Sequence, residues 1–261
     1  MFEPHAQPTT EMAIDDPRVR RLARIAGAFF VMTFISSIAA LVLYGPVLDD
    51  AGYIVGGGAD TRISVGAFLE VILVISNVGT AVALFPILRR HGEGLALGYV
   101  ATRILESTVI VVGIVSLLSV VTLRQDVAGS ADPGSLVLAG QSLVAVHDWT
   151  FLFGPAFCAG FGNGLVLGYL MYRSGLVPRR MALLGIIGGP LAFASATAVL
   201  FGLYEQTSGP SFVATLPEMV WEASLGIYLI AKGFKVSPDT HKERRHTRLI
   251  ESSAAPAAAA R

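Results

Sequence analysis

Six apolar runs separated by short polar connections constrain this chain more than any other feature. They extend approximately from Arg24 to Val47, Ile63 to Leu88, Leu95 to Leu123, Leu143 to Tyr172, Met181 to Tyr204 and Leu216 to Phe234. Roughly 20 mainly apolar residues cross about 30 Å of hydrocarbon as a helix. Lipid offers no water to an unpaired peptide group, so runs of this length read as helical spans. The expected fold is all-α, an integral membrane bundle of six transmembrane helices. Apolar residues of the fourth run already begin at Leu136, so a tilt or a short interfacial segment is expected at its start.

The charges support this reading. Only 15% of residues are charged and 53% are hydrophobic, against about 25% charged in a soluble domain. The run from Ile25 to Tyr44 exceeds the roughly 7–15 residues of a signal-peptide core, so it reads as a retained first span. The expected division is a cytoplasmic N-terminal segment (1–21), a six-span domain (22–234) and a basic tail (235–261). That tail ends in Ser252-Ser253-Ala254-Ala255-Pro256 and four alanines, a composition that buries no core and reads as disordered. Zero formal net charge gives no electrostatic case for a nucleic-acid partner. The single cysteine, Cys158, excludes an intrachain disulfide and a cysteine-based zinc motif. No cofactor and no metal site is expected; the expected partner is the lipid bilayer.

Orientation follows from the basic residues. Sixteen Lys and Arg lie on the N-terminal flank, the second and fourth connections and the C-terminal segment; Arg62 and Arg124 lie on the opposite side and Arg103 inside a span. Cytoplasmic flanks retain positive charge, so both termini are expected in the cytoplasm.

Helices associate in lipid through close approach of small residues. Gly160, Gly164 and Gly168 form a ridge on the fourth span, facing Gly185, Gly189, Ala192 and Ala196 on the fifth. These faces suit packing inside the bundle, with homo-oligomer formation as the alternative. Pro155 and Pro190 each remove a backbone hydrogen bond and are expected to kink their spans.

Ionisable residues inside spans cost about 2.5–3.5 kcal/mol each on insertion scales and mark candidate sites. The candidate polar cluster is Glu70, Arg103, Glu106, His147, Asp148 and Glu222, supported by Asn77, Tyr99 and Asn163. Helical spacing puts Gly66, Glu70, Asn77 and Ala81 on one face of the second span, and Tyr99, Arg103, Glu106, Ile110 and Gly113 on one face of the third. On the fourth, Asp148, Pro155, Ala159 and Gly162 share a face, with Asn163 at its edge. Four acids against one permanent cation cannot all stay ionised in a low dielectric, so some are expected to hold a proton or bind a cation.

Simpler readings accompany these residues. Arg103 and Glu106, three apart, suit a structural pair. Thr215-Leu216-Pro217-Glu218 reads as a capping box with proline in the first turn, which sets Glu218 aside as a helix cap. His147 has no second intramembrane histidine and reads as hydrogen-bonded structure. Trp149 and Trp221 are expected in an interfacial aromatic belt.

The stretch Arg90-His91-Gly92-Glu93-Gly94-Leu95-Ala96-Leu97-Gly98-Tyr99, followed by Arg103 and Glu106, resembles a bacterial membrane family known as domain of unknown function 4386. His147-Asp148-Trp149 through Gly154-Pro155, Leu167-Gly168-Tyr169, Tyr172 to Arg179 and Leu184 to Pro190 resemble it too, as do Pro217-Glu218, Trp221-Glu222 and Lys232-Gly233-Phe234. The resemblance covers roughly residues 20–235. It implies a multi-span protein of the bacterial plasma membrane and carries no activity or catalytic residues.

Three functions remain open from sequence. The acidic cluster suits a transporter or channel-like protein handling protons, cations or a small solute. A non-catalytic partner or sensor would use the same cluster to set helix register. An intramembrane enzyme would use Asp148, His147 and a glutamate on a lipid, but no metal triad, nucleophile motif or phosphate-binding signature supports it.

Overall fold

A computed structural model describes residues 16–127 and 132–235. The expected disordered tail from 236 onward, and residues 1–15, lie outside the described residues. Six long helices follow one another: α1 (Pro17–Asp49), α2 (Asp60–Leu88), α3 (Glu93–Val127), α4 (Pro133–Ser174), α5 (Arg179–Leu200) and α6 (Gly209–Ala231). All six are long and apolar enough to cross a membrane. The described residues contain no strand.

Local sequence explains the helix ends. Asp16 caps α1 by accepting from the Arg18 amide at 2.8 Å, with Pro17 in the first turn, where its missing N–H costs nothing. The basic flank from Arg18 to Arg24 is therefore already helical. Asp132 and Pro133 repeat the device on α4, with the Ser135 amide 2.9 Å from Asp132 Oδ2. Gly175, at φ +67°, ends that helix in a left-handed turn that glycine adopts without strain.

Two boundaries differ from expectation. The long fourth run is one continuous helix from Pro133. It contains consecutive π-helical stretches, Leu152–Cys158 and Gly160–Leu167. Pro155 has no N–H to give to the preceding turn, and the chain adopts wider bonding, as in the Ala159 amide to the Gly154 carbonyl. In turn, α6 starts at Gly209 after Ser208, with Pro210 in its first turn. Pro217 lies inside the helix, so Glu218 is not a cap.

Each helix packs on its neighbours in the chain, and α6 closes the ring on α1. The α4 and α5 glycine faces meet inside this chain. A Cβ on Gly160 would stand 2.9 Å from the Gly189 carbonyl oxygen, and one on Gly168 would stand 3.0 Å from the Ile186 nitrogen. Between α1 and α6 the close point is Gly27, where a Cβ would stand 2.6 Å from the Gly226 oxygen. Large apolar side chains such as Ile35, Phe68, Val82, Val115, Ile187 and Ile227 point outward, as expected of a surface solvated by lipid.

Two large apolar cores and a smaller cluster of Ala67, Leu73, Ile110 and Ile114 fill the bundle. One, including Phe30, Leu84, Leu88, Leu167 and Leu225, occupies the end that carries most basic residues. The other, including Tyr44, Ile54, Ile63 and Leu117, occupies the opposite end. The buried ionisable residues lie between these two ends, beside the smaller cluster.

Candidate functional site

The candidate residues divide into three groups. The central group joins α2 and α3. Arg103 Nη1 donates to Glu106 Oε2 at 2.8 Å, Arg103 Nη2 donates to Asn77 Oδ1, and Asn77 Nδ2 donates to Glu106 Oε1 at 3.1 Å. All three side chains are buried. The ring engages both charges of the pair through one amide, with Arg103 Nε left without a partner, and makes the ion pair more tolerable out of water. Tyr99 lies fully buried nearby, with its hydroxyl 3.4 Å from Thr80 Oγ1.

A second set of bonds joins α4 to α6 beside this ring. Asn163 Nδ2 donates to Glu222 Oε1, and Trp221 Nε1 donates to the Asn163 carbonyl oxygen at 2.9 Å. Trp221 is fully buried and seats against Gly185, where a Cβ would come within 2.8 Å of its ring. It is an interior anchor, contrary to the expected place in an aromatic belt; Trp149, half exposed, does face outward.

Glu218 is the residue that sequence reasoning set aside. It is 6% exposed, and neither carboxyl oxygen has a hydrogen-bond partner. It sits one turn before Glu222 on α6, with Gly164 opposite: a Cβ there would stand 2.5 Å from Glu218 Oε2. Two sequence signals pointed to it. Glu218 and Glu222 are four apart and share a helix face, and Ser208-Gly209-Pro210 offers an earlier helix start.

Arg103, Glu106, Asn77, Glu218 and Glu222 line a cavity of about 320 Å³, bounded also by apolar residues of α1 and α4. Its acidic floor lies far from either end of α6. At 1.5 Å per residue, Glu218 lies about 13 Å from the start of α6 and about 20 Å from its end. Glu222 is deeper than a helix beginning at Leu216 would place it. Three carboxyl groups thus face one guanidinium whose two terminal nitrogens are already engaged.

Glu70 and His147 form a separate group. Both line an adjoining cavity of about 130 Å³, and the Tyr44 hydroxyl donates to Glu70 Oε2 at 2.8 Å. The His147 ring lies 5.7 Å from Tyr44, edge to face. Leu73, Ile110, Phe151 and Pro155 line both cavities and separate the two polar groups.

Asp148 joins neither. Its side chain is 64% exposed, with Oδ1 3.6 Å from His147 Nδ1, too far for a hydrogen bond. It lines a shallow groove with Asp49, Asp50 and Tyr53. The π stretches explain why it does not share an inward face with Pro155 and Ala159: a turn closed at i+5 holds more residues than an α turn, so a face counted at 3.6 residues per turn slips out of phase.

Among the described residues no group of three or more His, Cys, Asp or Glu side chains is placed to hold a metal ion. The fold and this interior define a multi-pass helical membrane protein with buried ionisable residues at the middle of the bundle. The chain belongs to the family described as Domain of unknown function (DUF4386), which it matches over residues 25–233. Neither the curated proteins nor the solved structures give a match.

Proposed function

We propose that this protein binds and handles a proton or a small positively charged solute inside the membrane, at the carboxyl groups of Glu218, Glu222 and Glu106. The observation that carries this reading is Glu218. A register-setting role accounts for the Arg103–Asn77–Glu106 ring, which ties α2 to α3, and for the Asn163–Glu222–Trp221 bonds, which tie α4 to α6. It does not account for a buried carboxyl group with two unpartnered oxygens, an arrangement that costs about 1–3 kcal/mol or more unless a ligand completes it. A cavity of about 320 Å³ also falls at the lower end of the range of small-molecule sites.

The 16-to-2 distribution of basic residues supports both termini in the cytoplasm, and the family resemblance supports a bacterial plasma membrane. Fluxes of protons, sodium, potassium and tetraethylammonium into proteoliposomes test the function. The expected result is a flux of at least one of these, lowered tenfold or more by Glu218→Gln and by Glu222→Gln. Absence of both flux and binding for all four overturns it.

A further inference from the structure

The acidic cavity reaches the lipid-facing flank of the bundle. Phe34, Ile38 and Leu41 of α1 and Met219 of α6 line it, and Ile38, Leu41 and Met219 are also exposed on the outer surface. The two helices touch closely at Gly27 and Gly226, near the basic end. Ile38 lies about 16 Å farther along α1 from Gly27, at the middle of the span. Gln206, Ser211 and Thr215 continue the lining toward the opposite end of α6, a polar stripe leading from the acidic floor to the membrane surface.

Resting on the reading above, we infer that the ligand is a cationic amphiphile, an alkylammonium that enters sideways from the bilayer between α1 and α6. Its head would lie at Glu218 and Glu222, and its tail would remain among Ile38, Leu41 and the surrounding lipid. Charge selects the head, because the terminal nitrogens of Arg103 are engaged by Glu106 and Asn77 and three carboxyl groups line the cavity, with both Glu218 oxygens unpartnered. Shape selects an organic ion. The cavity far exceeds a dehydrated metal ion, and among the described residues no set of donors converges to hold one. Phe34 and Phe151 in the wall suit an ammonium group, which aromatic faces attract. Surface chemistry selects the tail: Ile38, Leu41 and Met219 line the cavity and are also exposed on the apolar flank, where an alkyl chain stays out of water.

The test uses the full chain in nanodiscs of neutral lipid and dodecyltrimethylammonium carrying a diazirine in its alkyl chain. After illumination, label is expected on Ile38, Leu41 and Met219 at five or more times its level on Phe68 and Val115, which also face lipid. It should fall at least fivefold in Glu218→Gln and in Ile38→Trp, the latter at a lipid-exposed position where folding tolerates the change. Even labelling of all lipid-facing residues overturns the inference, as does equal labelling by the uncharged dodecanol analogue. Tetraethylammonium binding in the same discs separates the two readings. If it is lost in Glu218→Gln while labelling stays even, the cation site stands and the lateral route fails; if neither probe shows a specific site, both fail.

Discussion

Glu218 and Glu222 lie one turn apart on the same face of α6, yet only Glu222 is held, by the side-chain amide of Asn163; the two oxygens of Glu218 have no partner. Neighbouring carboxyl groups in one cavity are thereby given different freedom. Asn163 fixes one, and the glycine at 164 leaves room for the other.

That difference separates two substitutions. Glu218→Gln removes a buried acid without breaking a hydrogen bond, so the melting temperature should hold or rise while cation binding falls tenfold or more. Glu222→Leu should weaken binding as well and lower the melting temperature, because the Asn163 amide then loses its acceptor. Thermal denaturation beside ligand titration checks the pair.

The ring on α2 and α3 is a stability element. Asn77→Leu would leave Arg103 Nη2 and Glu106 Oε1 without partners in a buried site, a loss of about 1–3 kcal/mol for the stranded groups. Reversible unfolding in mixed micelles should show it. A variant as stable as the parent would mean that the ring does not hold these helices.

The glycines on α5 set how close α6 can come. A Cβ at Gly188 would stand 2.6 Å from the Glu218 nitrogen, so Gly188→Ala should destabilise by about 1–3 kcal/mol through overpacking. At Gly98, on α3, nothing lies within 4 Å of the added carbon. Gly98→Ala should be neutral or stabilising by up to about 1 kcal/mol, from helix propensity alone.

At the end away from the basic clusters, Arg124 grips Asp60 with a fork: Nε and Nη2 lie 2.8 and 2.5 Å from its two oxygens, and Nη1 reaches the Gly56 carbonyl at 2.8 Å. Arg124→Lys cannot reproduce three directed bonds. With both side chains 18% exposed, the loss should be about 1 kcal/mol and should shrink in high salt.

His91, in the connection between α2 and α3, should make stability depend on acidity. Burial, with Arg90 and Arg173 nearby, holds its imidazole below the ordinary histidine range. The unfolded chain then binds a proton more readily than the native one. Stability should be full above about pH 6.5 and should decline as the pH falls below it. Melting temperatures between pH 7 and pH 5 should fall more steeply for the parent than for His91→Gln.

The sequence by itself determined the number of spans, because runs of apolar residues long enough to cross hydrocarbon leave no other backbone solution. It also put Arg103 and Glu106 on one face of α3 and Asn77 on an inward face of α2, because those residues sit in regular α-helix where spacing predicts direction. Only the tertiary structure decided which acids share a cavity. Asp148 lies before a π stretch that shifts the phase of α4, and that stretch depends on how Pro155 is accommodated in the bundle. Glu218 follows a proline that resembles a helix start; its interior position is set by α6 beginning two turns earlier and packing on Gly188 of α5. Periodicity describes a helix already in register, whereas the place where a helix begins and the point where it widens are settled by what packs against it.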